Sequence, residues 1–172
     1  MRRAALLFSV AAATLVAGSA LAASSSNSVN VLKVFSKQIA SIKKSSKAPV
    51  ILPASLPFGG KVPKVYPAGA GTRNSWTLVL SGAPNCGGAD ACFLASFDAQ
   101  RGGKLPGKSN LKLAGGQAAF FKDVTCGASC SPAEIWFVYR GVLYTYAHKD
   151  APRNTKTVLA RLAAQAIAAG PR

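Results

Sequence analysis

Apolar and polar residues alternate most clearly between residues 133 and 148, where two aromatic-rich runs surround the dipeptide Arg140-Gly141. Such a dipeptide between alternating segments predicts a β-hairpin with a two-residue turn. Because successive side chains of a strand point to opposite faces, the first strand should divide into two sets. These sets are Ile135, Phe137 and Tyr139 on one face, and Trp136 and Val138 on the other.

Three further segments have the pattern of strands. Residues 75–80 are rich in β-branched and aromatic side chains, and residues 92–100 alternate apolar with polar positions. The second pattern indicates a strand with one solvated face. Residues 111–121 predict another hairpin, which turns at Gly115-Gly116 because paired glycines adopt the positive φ angles of a tight turn.

Proline and glycine interrupt the chain before these strands. Residues 49–58 are apolar but contain Pro53 and Pro57, so they are interpreted as an extended edge segment and a turn. The sequence PAGAGTRN, residues 67–74, is interpreted as a loop. The next strand is therefore expected at Ser75.

Two segments have helical spacing. In residues 28–44 the apolar positions are Leu32, Phe35, Ile39 and Ile42, and Ser28 or Asn30 can cap the helix. Near the C-terminus, Asn154 or Thr155 can cap a second helix, which ends at Gly170-Pro171. Its apolar stripe consists of Val158, Leu159, Leu162, Ala166 and Ile167.

Strands in one block with helices at both ends predict an α+β fold. The expected architecture is an antiparallel β-sheet meander with the C-terminal and N-terminal helices packed on one face, and with two loops held by disulfides. We assign residues 49–172 to a single domain and residues 23–48 to a basic linker or amphipathic helix. The apolar stripe of that helix could lie on an anionic membrane, but packing onto its own domain is the favoured interpretation.

Residues 1–22 are interpreted as a signal peptide. Arg2 and Arg3 precede an uncharged apolar run, and Ala20-Leu21-Ala22 has the small-x-small pattern of a cleavage site, so cleavage is expected after Ala22. The run is short for a membrane span, and no other segment is long and apolar enough to be one. The mature protein is therefore expected to be secreted, extracellular or periplasmic, without a transmembrane segment.

Four cysteines form two local pairs, Cys86 with Cys92 and Cys126 with Cys130. An even number of cysteines in an exported chain indicates disulfides, and short loops favour these local pairings among the three connectivities. A four-thiolate zinc site is the alternative, but only the second pair has zinc-knuckle spacing. We therefore predict no metal site and no cofactor.

The chain is strongly basic, with 21 Lys and Arg against 5 Asp and Glu and a formal net charge of +16. Residues 23–89 contain no carboxylate. This distribution favours anionic partners, such as phospholipid headgroups or cell-wall polymers, although solvation alone would also explain it. The candidate anion-binding residues are Lys33, Lys37, Lys43, Lys44, Lys47, Lys61 and Lys64.

Residues for catalysis are scarce. His148 is the single histidine and would have to serve as the base for any serine nucleophile, while Asp98 and Glu134 could pair as in a glycosidase. Neither arrangement comes with a supporting motif. The aromatic hairpin beside Arg140 resembles a nucleic-acid stacking platform, but half of its side chains must face the core, so no specific nucleic-acid binding is expected.

Residues 49–167 resemble a group of uncharacterised bacterial envelope domains, which are found on the outer side of anti-sigma-type membrane proteins or are secreted alone. The resemblance rests on the Leu-Pro pairs at 52–53 and 56–57, the glycine-turn hairpin LKLAGGQAAFF, Gly141 with Tyr144, and the closing helix LARLAAQAI. The chain departs from that pattern in having Phe137 in place of a tryptophan and in its four cysteines. The resemblance implies an envelope role, a secreted subgroup and a non-enzymatic domain.

The sequence thus predicts a secreted envelope protein with a non-enzymatic binding or scaffold domain that contacts anionic cell-surface material. One alternative is a carrier of a small apolar ligand in a pocket between sheet and helix, lined by the aromatic hairpin. A Ser/His hydrolase that uses His148 is the other alternative.

Overall fold

The structure is a computed structural model that describes residues 27–86, 91–149 and 151–172. The proposed signal peptide and its cleavage site lie outside the described residues. The helices are α1 (Val31–Val34), α2 (Ser36–Ser45) and α3 (Thr155–Ala169). The strands are β1 (Ser28–Asn30), β2 (Ser55–Pro57), β3 (Tyr66–Gly71), β4 (Ser75–Ser81), β5 (Phe93–Arg101), β6 (Leu111–Lys112), β7 (Ala118–Lys122), β8 (Thr125–Cys126), β9 (Cys130–Ser131), β10 (Ala133–Tyr139) and β11 (Val142–His148).

Seven strands form one antiparallel sheet in the order β3-β4-β5-β11-β10-β7-β6. The predicted α+β class is confirmed, and the meander consists of two halves. Strands β3 to β5 form the first half, and β6, β7, β10 and β11 form the second. The halves join where β11 pairs with β5, with Tyr146 opposite Phe97. Two smaller ribbons, β1-β2 and β8-β9, lie outside this sheet.

Both predicted hairpins form at the expected dipeptides. Arg140 and Gly141 have φ angles of 50° and 75° between β10 and β11, and Gly115 and Gly116 have φ angles of 86° and 82° between β6 and β7. Arg140 and Gly141 are the two central residues of a two-residue turn between Tyr139 and Val142, and positive φ at both matches the right-handed twist of the flanking strands. The β6-β7 connection is longer, and in it the N–H of Gly116 donates to the carbonyl oxygen of Leu113. The alternation in β10 is also confirmed, because Ile135 and Phe137 are buried while Trp136 and Val138 are half-buried.

One face of the sheet carries the core. Phe35 at the junction of the first two helices packs edge-to-face on Phe97 of β5, and Phe97 packs in the same way on Tyr146 of β11. Helix α3 lies on the same face and contacts β10 and β11. Its buried residues are Val158, Leu159, Leu162, Ala163 and Ala166. The expectation that helices cover one face of the sheet is therefore confirmed.

Residues 49–54 are not an edge strand of the main sheet. Val50, Ile51 and Leu52 are between 0% and 3% exposed, and they lie in the core without regular secondary structure. Buried backbone carbonyls need donors. Side chains supply them: the Trp76 indole and the Tyr144 hydroxyl donate to the carbonyl oxygen of Pro49, and the Tyr146 hydroxyl donates to that of Ile51.

The fold also begins before Pro49. Strand β1 pairs with β2, with Val29 opposite Leu56, and the apolar stripe of the N-terminal helices belongs to the single core cluster. Residues 28–45 are thus an integral part of the domain and not a linker to it. In the described part of the chain, no helix is long and apolar enough to cross a membrane.

Among the residues that the structure describes, no helix lies on the opposite face of the sheet. The loop of residues 102–110 runs from β5 to β6 at the far edge and crosses this face on the way. A Cβ atom at Gly103 would lie 2.7 Å from the Cβ of Leu143 on β11, and one at Gly107 would lie 3.2 Å from the Phe120 ring on β7. The loop therefore covers one end of the open face.

Candidate anion-binding surface

The N-terminal helices determine where the first five candidate lysines lie. The Asn30 side chain accepts a hydrogen bond of 2.9 Å from the backbone N–H of Lys33, so Asn30 is the N-cap of α1. Phe35 has φ and ψ of −93° and 13° and separates α1 from α2. The two short helices thus continue one another around a buried phenylalanine.

The apolar stripe of these helices faces inward. Phe35 and Ile42 are fully buried, and Ile39 is 8% exposed. This is the packing that the sequence favoured over membrane insertion, because no large apolar side chain of α2 remains on the outside to enter a bilayer. Any contact of this helix with a membrane would therefore be electrostatic.

The lysines lie on the outer side. Lys33, Lys37 and Lys44 are exposed and are spaced by four and seven residues, which places them on one helical stripe opposite Ile39 and Ile42. Lys43 flanks this stripe, and Lys47 follows the C-terminus of α2. We call these five residues, Lys33, Lys37, Lys43, Lys44 and Lys47, the basic helical face.

Arg73 is a further cation at the C-terminal end of this face. It is not among the seven candidate anion-binding residues that the sequence predicts. The backbone N–H of Lys47 donates to the carbonyl oxygen of Arg73 at 2.9 Å, in the turn between β3 and β4. Arg73 is exposed. No local signal could have identified it, because the composition of residues 67–74 predicts a loop and does not indicate which segment lies beside it. Lys43 and Lys44 also stabilise the helix here, since cations near a C-terminus favour the helix dipole.

Lys64 lies near the other end of α2, whereas Lys61 lines a separate cavity. The amide of Gln38 donates to the carbonyl oxygen of Pro67 at 3.3 Å, so the start of β3 lies beside the first turns of α2. Lys64 precedes that strand, and its Nζ is 5.4 Å from the centre of the Tyr66 ring. Lys61 lines an open cavity of about 500 Å³ together with Lys149. Both lysines are exposed, but only Lys64 lies beside the basic helical face.

The two local disulfides predicted from the sequence are present. Cys86 is bonded to Cys92 across a loop in which residues 87–90 are not among the described residues. Cys126 is bonded to Cys130 in the β8-β9 ribbon. Their sulfur atoms are bonded to each other and are not thiolate ligands for zinc. Both bridges close short loops.

The position of His148 does not suit general base catalysis. Its ring is fully buried at the end of β11. The Nε2 atom lies 2.7 Å from the carbonyl oxygen of Pro57, and Nδ1 lies 3.3 Å from that of Leu94. These contacts connect β11 to its neighbours, so they give the histidine a structural role.

Asp98 and Glu134 both lie on the open face of the sheet but two strands apart, on β5 and β10. Burial raises the pKa of Asp98, and hydrogen bonds from Thr77 and Ser96 oppose that shift. Burial also raises the pKa of Glu134, while the charge of Lys122 lowers it and that of Asp98 raises it further. The two carboxylates therefore interact weakly across Thr145 and Ala147 of the central strand.

The aromatic hairpin supplies neither a stacking platform nor an open pocket on its core side. Phe137, Tyr144 and Tyr146 are fully buried, and residues 50–52 fill the space between this hairpin and the helices. Trp136 is half-buried on the open face, where its ring lies 5.6 Å from that of Phe120. In the carrier alternative, the aromatic hairpin would line a pocket for a ligand. Its core-facing side chains instead pack against residues 50–52 of the same chain.

Comparison with known proteins finds no matching family model, no similar curated protein and no similar solved structure.

Proposed function

We propose that this chain is a secreted, non-enzymatic protein of the bacterial envelope that contacts anionic cell-surface material through the basic helical face. The observation that carries the proposal is the division of the N-terminal helices. Their apolar stripe is buried in the domain, whereas every lysine between residues 33 and 47 is exposed. No carboxylate between residues 23 and 89 reduces the charge of this surface.

The expected contact is weak and reversible. A lysine close to an anionic leaflet contributes about 1 kcal/mol, so five lysines contribute about 5 kcal/mol, which corresponds to a dissociation constant in the sub-millimolar range. Such binding requires a surface with many anionic groups, as phospholipid headgroups or a wall polymer provide. Because the lysines are exposed, salt should screen the interaction over a Debye length of about 8 Å.

The test is co-sedimentation with vesicles of phosphatidylglycerol and phosphatidylcholine, compared with vesicles of phosphatidylcholine alone. The triple variant Lys33→Gln/Lys37→Gln/Lys44→Gln should lose most of its binding to the anionic vesicles. A matched control, Lys104→Gln/Lys108→Gln/Lys122→Gln, removes the same charge from exposed residues elsewhere and should lose little. A parallel assay with a glycerol-phosphate polymer distinguishes lipid from wall material.

Equal losses in the two triple variants would show that net charge alone drives binding, and the assignment to the basic helical face would then be wrong. Binding that is absent at low salt, or that persists unchanged at 1 M salt, would refute the proposal as a whole. Circular dichroism spectra of the variants should match the parent spectrum, because the substituted side chains are exposed.

A further inference from the structure

Helix α3 carries a second apolar stripe besides the one that faces the core. Its buried residues include Leu159, Leu162 and Ala166. The second stripe consists of Ala160, Ala164 and Ala168, which recur every four residues. Ala160 and Ala164 are half-buried and pack at the edge of the core, whereas Ala168 is exposed. Thr157 and Arg161 flank this stripe, which faces the β6-β7 hairpin.

The outer side of α3 forms one wall of a groove of about 470 Å³. The other wall is the end of the β6-β7 hairpin, where Leu113 is 4% exposed. Alanines and Leu113 form most of the lining, and Thr157 and Gln165 add neutral polar groups. Two cations, Lys112 from the hairpin and Arg161 from the helix, are exposed residues that also line the groove.

We propose that this groove binds one acyl chain of an anionic lipid, with Lys112 and Arg161 beside the anionic headgroup. The charges select this occupant. A second copy of the chain seated helix-to-helix on the same stripe would bring Arg161 close to its own counterpart, which is unfavourable. An anionic amphiphile instead satisfies the apolar walls and the two cations together.

The dimensions agree with a single chain. From Thr157 to Ala168 the helix rises about 16 Å at 1.5 Å per residue, a length comparable to an extended acyl chain of about a dozen carbons. The volume lies within the range of about 300–1,000 Å³ that is typical of small-molecule sites. Alanine side chains on the helical wall leave room for a narrow chain.

The test uses three probes with one chain length and three headgroup charges, namely dodecyl phosphate, dodecanol and dodecyltrimethylammonium, below their micelle concentrations. Isothermal titration should show that dodecyl phosphate binds at least tenfold more tightly than the cationic probe, with dodecanol between them. Amide NMR shifts should concentrate on residues 112–114 and 157–168. Decyl phosphate should bind more weakly, by up to about fourfold per methylene removed.

Two variants locate the site. Lys112→Gln/Arg161→Gln should weaken dodecyl phosphate binding by about tenfold, whereas the charge-matched control Lys104→Gln/Arg153→Gln should stay within twofold. Ala164→Glu places a carboxylate in the groove at a position that suits a helix, and it should abolish binding while the circular dichroism spectrum is retained.

Equal affinity for all three probes would mean adsorption of detergent, and the proposal would be wrong. The proposal would also be wrong if the Ala164→Glu variant bound dodecyl phosphate normally. A third contrary result would be that no probe binds and that the chain is a dimer which Ala164→Glu dissociates, because the groove would then be a contact between two copies. The inference is independent of the basic helical face, because Lys33→Gln/Lys37→Gln/Lys44→Gln leaves the groove intact and should bind dodecyl phosphate like the parent.

Discussion

The hydroxyl of Tyr144 donates a hydrogen bond of 3.0 Å to the carbonyl oxygen of Pro49, which precedes it by 95 residues. The indole of Trp76 donates to the same oxygen at 3.2 Å. Both side chains project from the core face of the sheet, from β11 and β4. The sheet therefore holds an irregular segment in the core through side-chain donors to Pro49 and Ile51. The C-terminal residue completes the set, because the backbone N–H of Arg172 donates to the carbonyl oxygen of Val50 at 2.8 Å and its guanidinium donates to that of Leu52 at 3.3 Å.

This relationship predicts the effect of removing a single hydroxyl. Tyr146 is fully buried and donates 2.9 Å to the carbonyl oxygen of Ile51, so Tyr146→Phe leaves that acceptor without its donor. We expect the free energy of unfolding to fall by about 1–3 kcal/mol, the usual cost of a buried unsatisfied group. Urea denaturation monitored by fluorescence measures it. Tyr139→Phe, at a half-buried position, is the control, and an equal loss there would contradict the explanation.

Local sequence patterns predicted the elements in which apolar residues recur with one regular spacing, either that of a strand or that of a helix. The β10-β11 hairpin, the Gly115-Gly116 turn and helix α3 all lie where alternation, turn dipeptides and helical spacing place them. In each case the local preference and the tertiary environment agree. Asn154 does precede α3, but it has a φ angle of 68° and its side chain makes no capping hydrogen bond. The pairing of β11 with β5 could not be predicted in this way. It joins residues about 50 positions apart in the sequence, and neither strand alone has a pattern that identifies its partner.

Strand β3 was missed for a physical reason. Its sequence YPAGAG contains the residues that usually mark turns, and it lies at the edge of the sheet, where proline is tolerated. Helix α2 packs against the end of this strand, since a Cβ atom at Gly71 would lie 2.8 Å from Ser45 Oγ and 3.4 Å from Ile42 Cγ1. A small residue is therefore needed there for contact and not for flexibility. Arg73 was missed together with β3, because its proximity to Lys47 depends on the hairpin that this strand forms.

The close packing of β3 predicts how glycine substitutions will rank. A Cβ atom at Gly69 would lie 2.5 Å from Leu78 Cδ2 and 2.8 Å from the carbonyl oxygen of Thr77, so backbone would have to move. We expect Gly69→Ala to lower the free energy of unfolding by about 1–3 kcal/mol, as overpacking does. Gly60 has open space around it, so Gly60→Ala should be neutral or slightly stabilising. Thermal denaturation of the two variants provides the comparison, and similar melting temperatures would contradict the proposed packing.

Asp98 should lower stability at neutral pH. Burial raises its pKa, and the hydrogen bond of 3.1 Å from Ser96 only partly opposes this. Between the ordinary pKa and the raised one, the folded chain holds a proton that the unfolded chain has released. The stability of the fold therefore falls as the pH rises through this window.

Asp98→Asn removes that cost and retains an oxygen that accepts hydrogen bonds. We expect the free energy of unfolding to rise at pH 7 and to remain unchanged at pH 3, where the carboxyl is protonated in both states. Urea denaturation at the two pH values measures the difference. Asp123→Asn, at an exposed carboxylate, is the control. A stabilisation of equal size at both pH values would show that the cause is not ionisation.

The buried tyrosines predict an alkaline limit to the fold. Burial, followed by repulsion from Tyr139, raises the pKa of Tyr144 to about 12. Burial also raises the pKa of Tyr146 well above its ordinary value, with Tyr144 adding to the shift and Arg172 opposing it. Above pH 10 the unfolded chain therefore loses protons that the folded chain keeps, so stability falls as the pH rises from there.

Absorbance at 295 nm, which reports tyrosinate, tests this at pH 11 with the native protein and with the chain unfolded in urea. The chain has four tyrosines. At pH 11 the native protein should hold up to two more protonated tyrosines than the unfolded chain does, namely Tyr144 and Tyr146. The missing absorbance should appear together with the loss of native circular dichroism, because these phenols ionise readily only after the segment of residues 49–52 has left the sheet. Coincident titration curves for the native and unfolded protein would show that Tyr144 and Tyr146 are accessible to solvent, and the buried hydrogen bonds to Pro49 and Ile51 would then be wrong.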